Sequence, residues 1–214
     1  MKLKVCGMKY QDNSHSVATL GPDYMGFIFW EPSKRYVGAQ LPEIPAHIKK
    51  VGVFVDAGIA EIIEKVARFH LWGIQLHGME SPAFCADLRA KVLRSGELSK
   101  VKIIKVFSVD VHFDFTVLEP YEAVSDYYMF DTKGKLPGGN GYTFDWEVLK
   151  NYPSSKPYFL SGGIGLGEKD KIAAFLQTGA SKYCHAIDVN SSFESEPGRK
   201  EPEKLKAFKA LIQV

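Results

Sequence analysis

One recurring unit constrains this chain more than any other feature. Short runs of apolar, β-branched or aromatic residues return at a fairly even interval. They are Leu3–Cys6, Tyr24–Trp30, Lys50–Val55, Gly73–His77, Lys102–Phe107, Tyr127–Asp131, Tyr158–Gly162 and Tyr183–Val189. Each is bounded by Gly, Pro, Asp or Ser, as buried strands are. Val51-Gly52-Val53-Phe54-Val55 is nearly all apolar, which suits a strand covered on both faces. Helical periodicity fills several intervals. Ile59, Ile62, Ile63, Val66 and Ala67 form a one-face stripe within Ile59–His70. Pro82 suits a first helical turn, and Phe84, Leu88 and Val92 follow it. Ile172, Phe175 and Leu176 mark a helix over Lys171–Thr178, with Gly179 as its C-terminal stop. Leu205, Phe208, Leu211 and Ile212 form a closing amphipathic helix. The second, fifth and sixth units are less clear: Pro42 and Pro45 shorten any helix in the second, and Pro120 interrupts the fifth.

Strands alternating with helices pair in parallel through crossovers. Eight such units in 214 residues fit a closed (β/α)₈ barrel, a single domain over residues 1–214. The alternative is a doubly wound open sheet, which usually has fewer strands and often opens on a Gly-rich dinucleotide turn. Here the first strand ends in Cys6-Gly7-Met8, with no such turn.

Composition narrows the function. A hydrophobic content of 45% excludes wholesale disorder. The 27 basic and 25 acidic residues leave a net charge of +2 without a basic cluster, so no nucleic-acid partner is expected. The Lys49-Lys50 pair and the C-terminal lysines read as solvated faces. No apolar run reaches 18 residues, so no membrane-spanning helix is expected. The first residues build no signal-peptide apolar region. Three scattered cysteines, Cys6, Cys85 and Cys184, argue against a disulfide framework, and no CxxC or HxxxH spacing suggests a zinc site. A cytoplasmic setting and no metal are the expectation.

In such barrels the active site lies at the C-terminal ends of the strands. Several runs end there in reactive groups. Cys6 ends the first, Ser33-Lys34-Arg35 follow the second, and His77 ends the fourth. Asp131 ends the sixth, followed by Lys133 and Gly138-Gly139-Asn140-Gly141. The seventh leads into Gly162-Gly163, and the eighth into Asp188-Val189-Asn190-Ser191-Ser192. Gly162 and Gly163 let a ligand approach the backbone closely. Asn190-Ser191-Ser192, with Glu194 beyond, resembles the start of a short helix, and helix N-termini bind anions. Together the two segments point to a phosphate, although each alone reads equally as a tight turn. Cys6 is either a packing residue or a thiol activated by nearby positive charge. Asp131 is either a loop cap or a functional acid. Arg35 is a solvated loop residue or a bidentate carboxylate clamp. His77 contacts substrate or caps its strand. Cys85 and Cys184 read as packing residues, Asp56 as a turn former and Asp145 as a helix cap.

The ordered set of motifs resembles the phosphoribosylanthranilate isomerase family. They are Lys4-Val5-Cys6-Gly7-Met8, Ser33-Lys34-Arg35-Tyr36-Val37, Val51-Gly52-Val53-Phe54-Val55, Gln75-Leu76-His77-Gly78, Gly139-Asn140-Gly141-Tyr142-Thr143-Phe144-Asp145-Trp146, Leu160-Ser161-Gly162-Gly163-Ile164 and Asp188-Val189-Asn190-Ser191-Ser192-Phe193-Glu194. The sequence departs from the family at Tyr142, where a lysine is common, and over Lys133–Pro137 and Ser192–Lys200.

The resemblance implies a TIM barrel of the ribulose-phosphate-binding type and a cofactor-independent Amadori rearrangement of a phosphosugar. It implies Cys6 as general base, Asp131 as general acid and Arg35 as the clamp on the substrate carboxylate. Gly162, Gly163, Asp188, Asn190, Ser191 and Ser192 are the candidate phosphate site, and His77 is a further substrate contact. A monomer or homodimer is expected. Two other readings compete. A different phosphosugar barrel enzyme would share the phosphate loops. A non-catalytic phosphate-binding barrel would need no acid–base pair.

Overall fold

Alternation along each strand decides the architecture. The computed structural model describes residues 1–132 and 143–212. Eight parallel strands close in sequence order into a barrel: β1 (Lys2–Val5), β2 (Tyr24–Ile28), β3 (Lys49–Phe54), β4 (Gly73–Leu76), β5 (Lys102–Val109), β6 (Tyr127–Thr132), β7 (Tyr158–Leu160) and β8 (Cys184–Val189). The seam is between β1 and β8, where Lys4 pairs with Asp188 and Val5 with Val189. One face of each strand packs outward against the helices, through residues such as Phe27, Phe54, Leu76 and Phe130. The other face fills the barrel. Tyr24, Val51, Ile104, Met129, Phe159 and Ala186 form its lower layer. Cys6, Ile28 and Val53 form an upper layer under Trp30. At the base the ring centroids of Tyr24 and Trp72 are 4.8 Å apart, as are those of Tyr127 and His185, which plugs that end. The open end is therefore the C-terminal one.

The helices follow the sequence reading in part. Helix α2 (Ile59–Phe69) ends on His70 in the left-handed conformation, and α3 (Pro82–Arg94) is capped by Ser81, whose Oγ accepts from the Phe84 amide. The closing helix is the last of the fold (Pro202–Ile212). Asp145 caps a 3₁₀ segment, Trp146–Asn151, and Pro120 lies inside another, Phe115–Tyr121. No helix occupies residues 29–48.

Several expectations are corrected. A helix absent from the sequence reading, α1 (Gln11–Ala18), follows β1; its polar sequence hides it. The helix in the seventh unit, α4, runs over Lys169–Leu176, and Gly179 opens a 3₁₀ turn rather than stopping that helix. The chain adds a two-stranded hairpin after β8, β9 (Glu194–Glu196) and β10 (Arg199–Lys200), before the closing helix α5. Lys200, grouped in the sequence with solvated lysines, is 2% exposed. Lys50 is only half-buried. Lys133 and Gly138–Gly141 lie outside the described residues.

Candidate active site

The strand ends surround a cavity. Positions on or just past the strand ends line it: Cys6 directly after β1, Gln75 from β4 and His77 at its end, Asp131 from β6, Ser161 after β7 and Asp188 from β8. Arg35, Gly162, Gly163, Asn190, Ser191 and Ser192 complete its rim. The cavity thus brings together Cys6, Arg35, His77 and Asp131 with the candidate phosphate site, whereas Lys34 does not line it.

Cys6 continues the β1 ladder, its amide donating to the Val189 carbonyl at 2.9 Å. Two residues earlier, on the same inward face, lies the fully buried Lys4. Its Nζ donates to Asp188 Oδ1 at 2.8 Å. Gly26 of β2 makes room for both groups: a Cβ there would lie 2.7 Å from Cys6 Sγ and 3.1 Å from Lys4 Nζ. Burial pushes the Cys6 thiol up, with the Lys4 charge opposing and Asp188 adding to the rise. For Lys4, burial works downward, but Asp188 and Cys6 together hold its pKa above the ordinary lysine value. Asp188 also accepts from Ser161 Oγ at 3.2 Å. Its carboxylate, grouped with the phosphate site in the sequence, is therefore committed to Lys4 and Ser161.

Across the mouth, Asp131 is 3% exposed, and its Oδ2 is 3.3 Å from His77 Nε2. His77 Nδ1 is 3.2 Å from Gln75 Nε2. Gln75 and Asp131 thus flank the imidazole on its two nitrogens and fix its ring orientation. The turn behind His77 is clamped from below. Glu80 accepts from the Asp56 and Gly78 amides, and the buried Lys105 donates to Glu80 at 2.8 Å and to the Gly78 carbonyl at 2.8 Å. Asp56, at φ 51°, accepts from the Met79 amide and shapes this turn as expected.

The rim from β7 and β8 is backbone-rich. Gly162 has φ 95°, and a Cβ on it would fall 2.2 Å from Thr132 Oγ1, so only glycine fits. Asn190 precedes a short 3₁₀ turn, Ser191–Phe193, but its side chain caps nothing; Oδ1 instead accepts from Lys200 Nζ at 2.6 Å. Lys200 also donates to Glu194 at 2.5 Å. Glu194 in turn takes Arg35 in a forked pair, Nε at 2.9 Å and Nη2 at 2.6 Å. Burial lowers Lys200 to about 8 against the pull of Glu194.

Four residues of this site escaped the sequence reading: Lys4, Gln75, Glu194 as the partner of Arg35, and Lys200. A signal existed for the first two. Lys4 precedes Cys6, and Gln75 precedes His77, by two residues, which is the strand period that puts both on one face. Lys200 and Glu194 carry no comparable local signal.

Residues 3–210 match the family described as N-(5'phosphoribosyl)anthranilate (PRA) isomerase. A curated relative of that name from Parabacteroides distasonis is 39% identical, over 97% of this chain and 91% of its own length. Another from Phocaeicola vulgatus is 37% identical, over 97% of this chain and 96% of its own. The crystal structure of phosphoribosyl anthranilate isomerase from Thermotoga maritima superposes with a TM-score of 0.77 at 25% identity, covering 100% of this chain and 98% of that one. Matched along nearly its whole length, with the cavity at the expected end of the barrel, the chain belongs to the N-(5'-phosphoribosyl)anthranilate isomerase family.

Proposed function

We propose that this chain converts N-(5'-phosphoribosyl)anthranilate to 1-(2-carboxyphenylamino)-1-deoxyribulose 5-phosphate, an intramolecular aldose–ketose isomerisation in tryptophan biosynthesis. The observation that carries the reading is the placement of one thiol and one carboxyl on β1 and β6, non-adjacent strands facing each other across one cavity. Protonated Asp131 donates to the ring oxygen as the C1–O bond breaks, and the anilino nitrogen lone pair forms the C=N bond. The cationic imine acidifies the hydrogen on C2. Cys6, as thiolate, removes that proton, and the electron pair moves into a C1–C2 double bond. The resulting enolamine takes a proton at C1 from Cys6 and gives its C2 hydroxyl proton to Asp131, leaving the ketone and restoring both groups. Beyond the one C–O cleavage the steps are proton transfers, and the atoms of substrate and product balance with no added group.

The backbone amides of Gly163, Asn190, Ser191 and Ser192, with the serine hydroxyls, take the phosphate; Gly162 shapes the approach. Asp188 serves the base rather than the phosphate. Arg35 holds the anthranilate carboxylate with guanidinium N–H groups beyond the two given to Glu194. His77 holds the Asp131 carboxyl in register. Anchoring the substrate at both ends supplies the orientation that general acid–base chemistry needs. The chain works as one barrel domain, as a monomer or homodimer, in a reducing cytoplasm. Three free, buried cysteines support that setting, and among the described residues no helix is long and apolar enough to cross a membrane.

The test is loss of phosphoribosylanthranilate fluorescence on adding purified protein with a chelator present. Rapid loss is expected, and none from folded protein would overturn the reading. In the same assay Arg35→Ala removes a charge-assisted bond, which is worth roughly 1.5–3 kcal/mol. That converts to about a 10–100-fold fall in kcat/KM, expressed mainly as a raised KM. An unchanged KM would remove Arg35 from the carboxylate site.

A further inference from the structure

We propose that Lys4 is the positioning residue for the base: its ammonium favours the thiolate form of Cys6 against the cost of burial, and Asp188 limits how strongly it does so. This inference rests on the reading of Cys6 as the base. A lysine with no exposed surface is costly to bury, and a methionine would fill the same space without a charge. The structure puts that charge where it bears on the sulfur. Lys4 and Cys6, two residues apart, face the same way, and both Sγ and Nζ crowd the space a side chain on Gly26 would take, 2.7 and 3.1 Å from its Cβ position.

The ammonium has three donors, and one goes to Asp188 at 2.8 Å. The strand register fixes that partner, because Lys4 and Asp188 are directly paired across the seam. Ser161 holds the second carboxylate oxygen, so Asp188 cannot swing towards the sulfur or away from Lys4. Cys6 thus meets charge from three elements: Lys4 from β1, Asp188 from β8 and Lys200 from β10. Gly26 on β2 contributes none. Asp131 on β6 acts on Asp188, and the charge of Lys200 is balanced by Glu194, itself shared with Arg35. Lys4 is the cation whose removal most exposes the thiolate to burial. Asp188 is the anion that divides the attention of that cation. In the reaction the thiolate takes the C2 proton and becomes a thiol. Transfer of that proton to C1 restores the thiolate beside the same ammonium, so Lys4 never needs to lose its own proton.

The two groups should therefore move the base in opposite directions. Alkylation of Cys6 by iodoacetamide, followed by mass spectrometry across pH, reads the thiolate directly, and kcat/KM across pH reads it in turnover. Lys4→Met is expected to move both midpoints to higher pH and slow alkylation at neutral pH by about 10-fold or more. Asp188→Asn is expected to move both midpoints to lower pH. Lys4→Met leaves Asp188 buried without its cation, so the same comparison is made where no carboxylate is orphaned: Lys4→Met/Asp188→Asn should lie above Asp188→Asn alone. A purely structural part for Lys4 and Asp188 would lower amplitudes without moving midpoints, or move both the same way, and either result overturns the inference. Cys6→Ala is measured alongside. Turnover surviving in it defeats the base assignment itself. An inactive Cys6→Ala with unmoved midpoints in the other variants defeats only the part given to Lys4.

Discussion

Asparagine in place of Asp131 is expected to lower kcat by ~10²–10⁴-fold while KM stays near its wild-type value. The substitution keeps the shape of the group and its place 3.3 Å from His77 Nε2. It removes the one proton that ring opening requires. The phosphate and carboxylate anchors lie elsewhere on the rim, so binding is left intact. Because the furanose ring must open before C2 becomes acidic, the loss falls on the first chemical step. A pre-opened imine analogue would bypass it. Steady-state kinetics on the purified variant check this, and wild-type turnover would remove Asp131 from the acid role.

Cys6→Ala is expected to lose turnover by a comparable ~10²–10⁴-fold, again without a matching loss of binding. Alanine leaves the β1 ladder intact, since the Cys6–Val189 bond is between backbone groups. It leaves Lys4 and Asp188 paired at 2.8 Å, so the fold loses little more than one sulfur. No other described thiol can substitute: Cys85 packs in the outer core, and burial raises Cys184 to about 12. Alkylation of the wild-type enzyme should inactivate it in step with Cys6 modification, and bound substrate should protect. Full activity after complete modification of Cys6 would end the assignment.

The barrel was legible because its signal is local. Eight apolar runs and the helices between them can be read in windows of a few residues, and reactive residues at run ends map onto one rim once closure is assumed. What was not legible is pairing at a distance. Lys4 finds its carboxylate in Asp188, 184 residues away, and Arg35 finds Glu194 across 159 residues. Lys200 is only six residues from Glu194, but its burial depends on the same distant closure that brings Arg35 and Asn13 to it. The first helix was missed for the opposite reason: Gln-Asp-Asn-Ser-His-Ser has no apolar stripe, and Asn13 and Ser14 are buried there all the same. Asn13 earns its burial by bonding both backbone groups of Lys200, a contact no helical pattern predicts.

The seam between β1 and β8 has a consequence for how such an enzyme comes into being. The lysine beside the base and the carboxylate paired with it are 184 residues apart. During synthesis β1 waits for all seven later strands before it has a neighbour on that side, a pairing of the kind that slows folding most. A chain that ends before β8 carries both Cys6 and Asp131 but lacks Asp188 and the Asn190–Ser192 rim, so the wall of the pocket is completed only when β8 docks between β7 and β1.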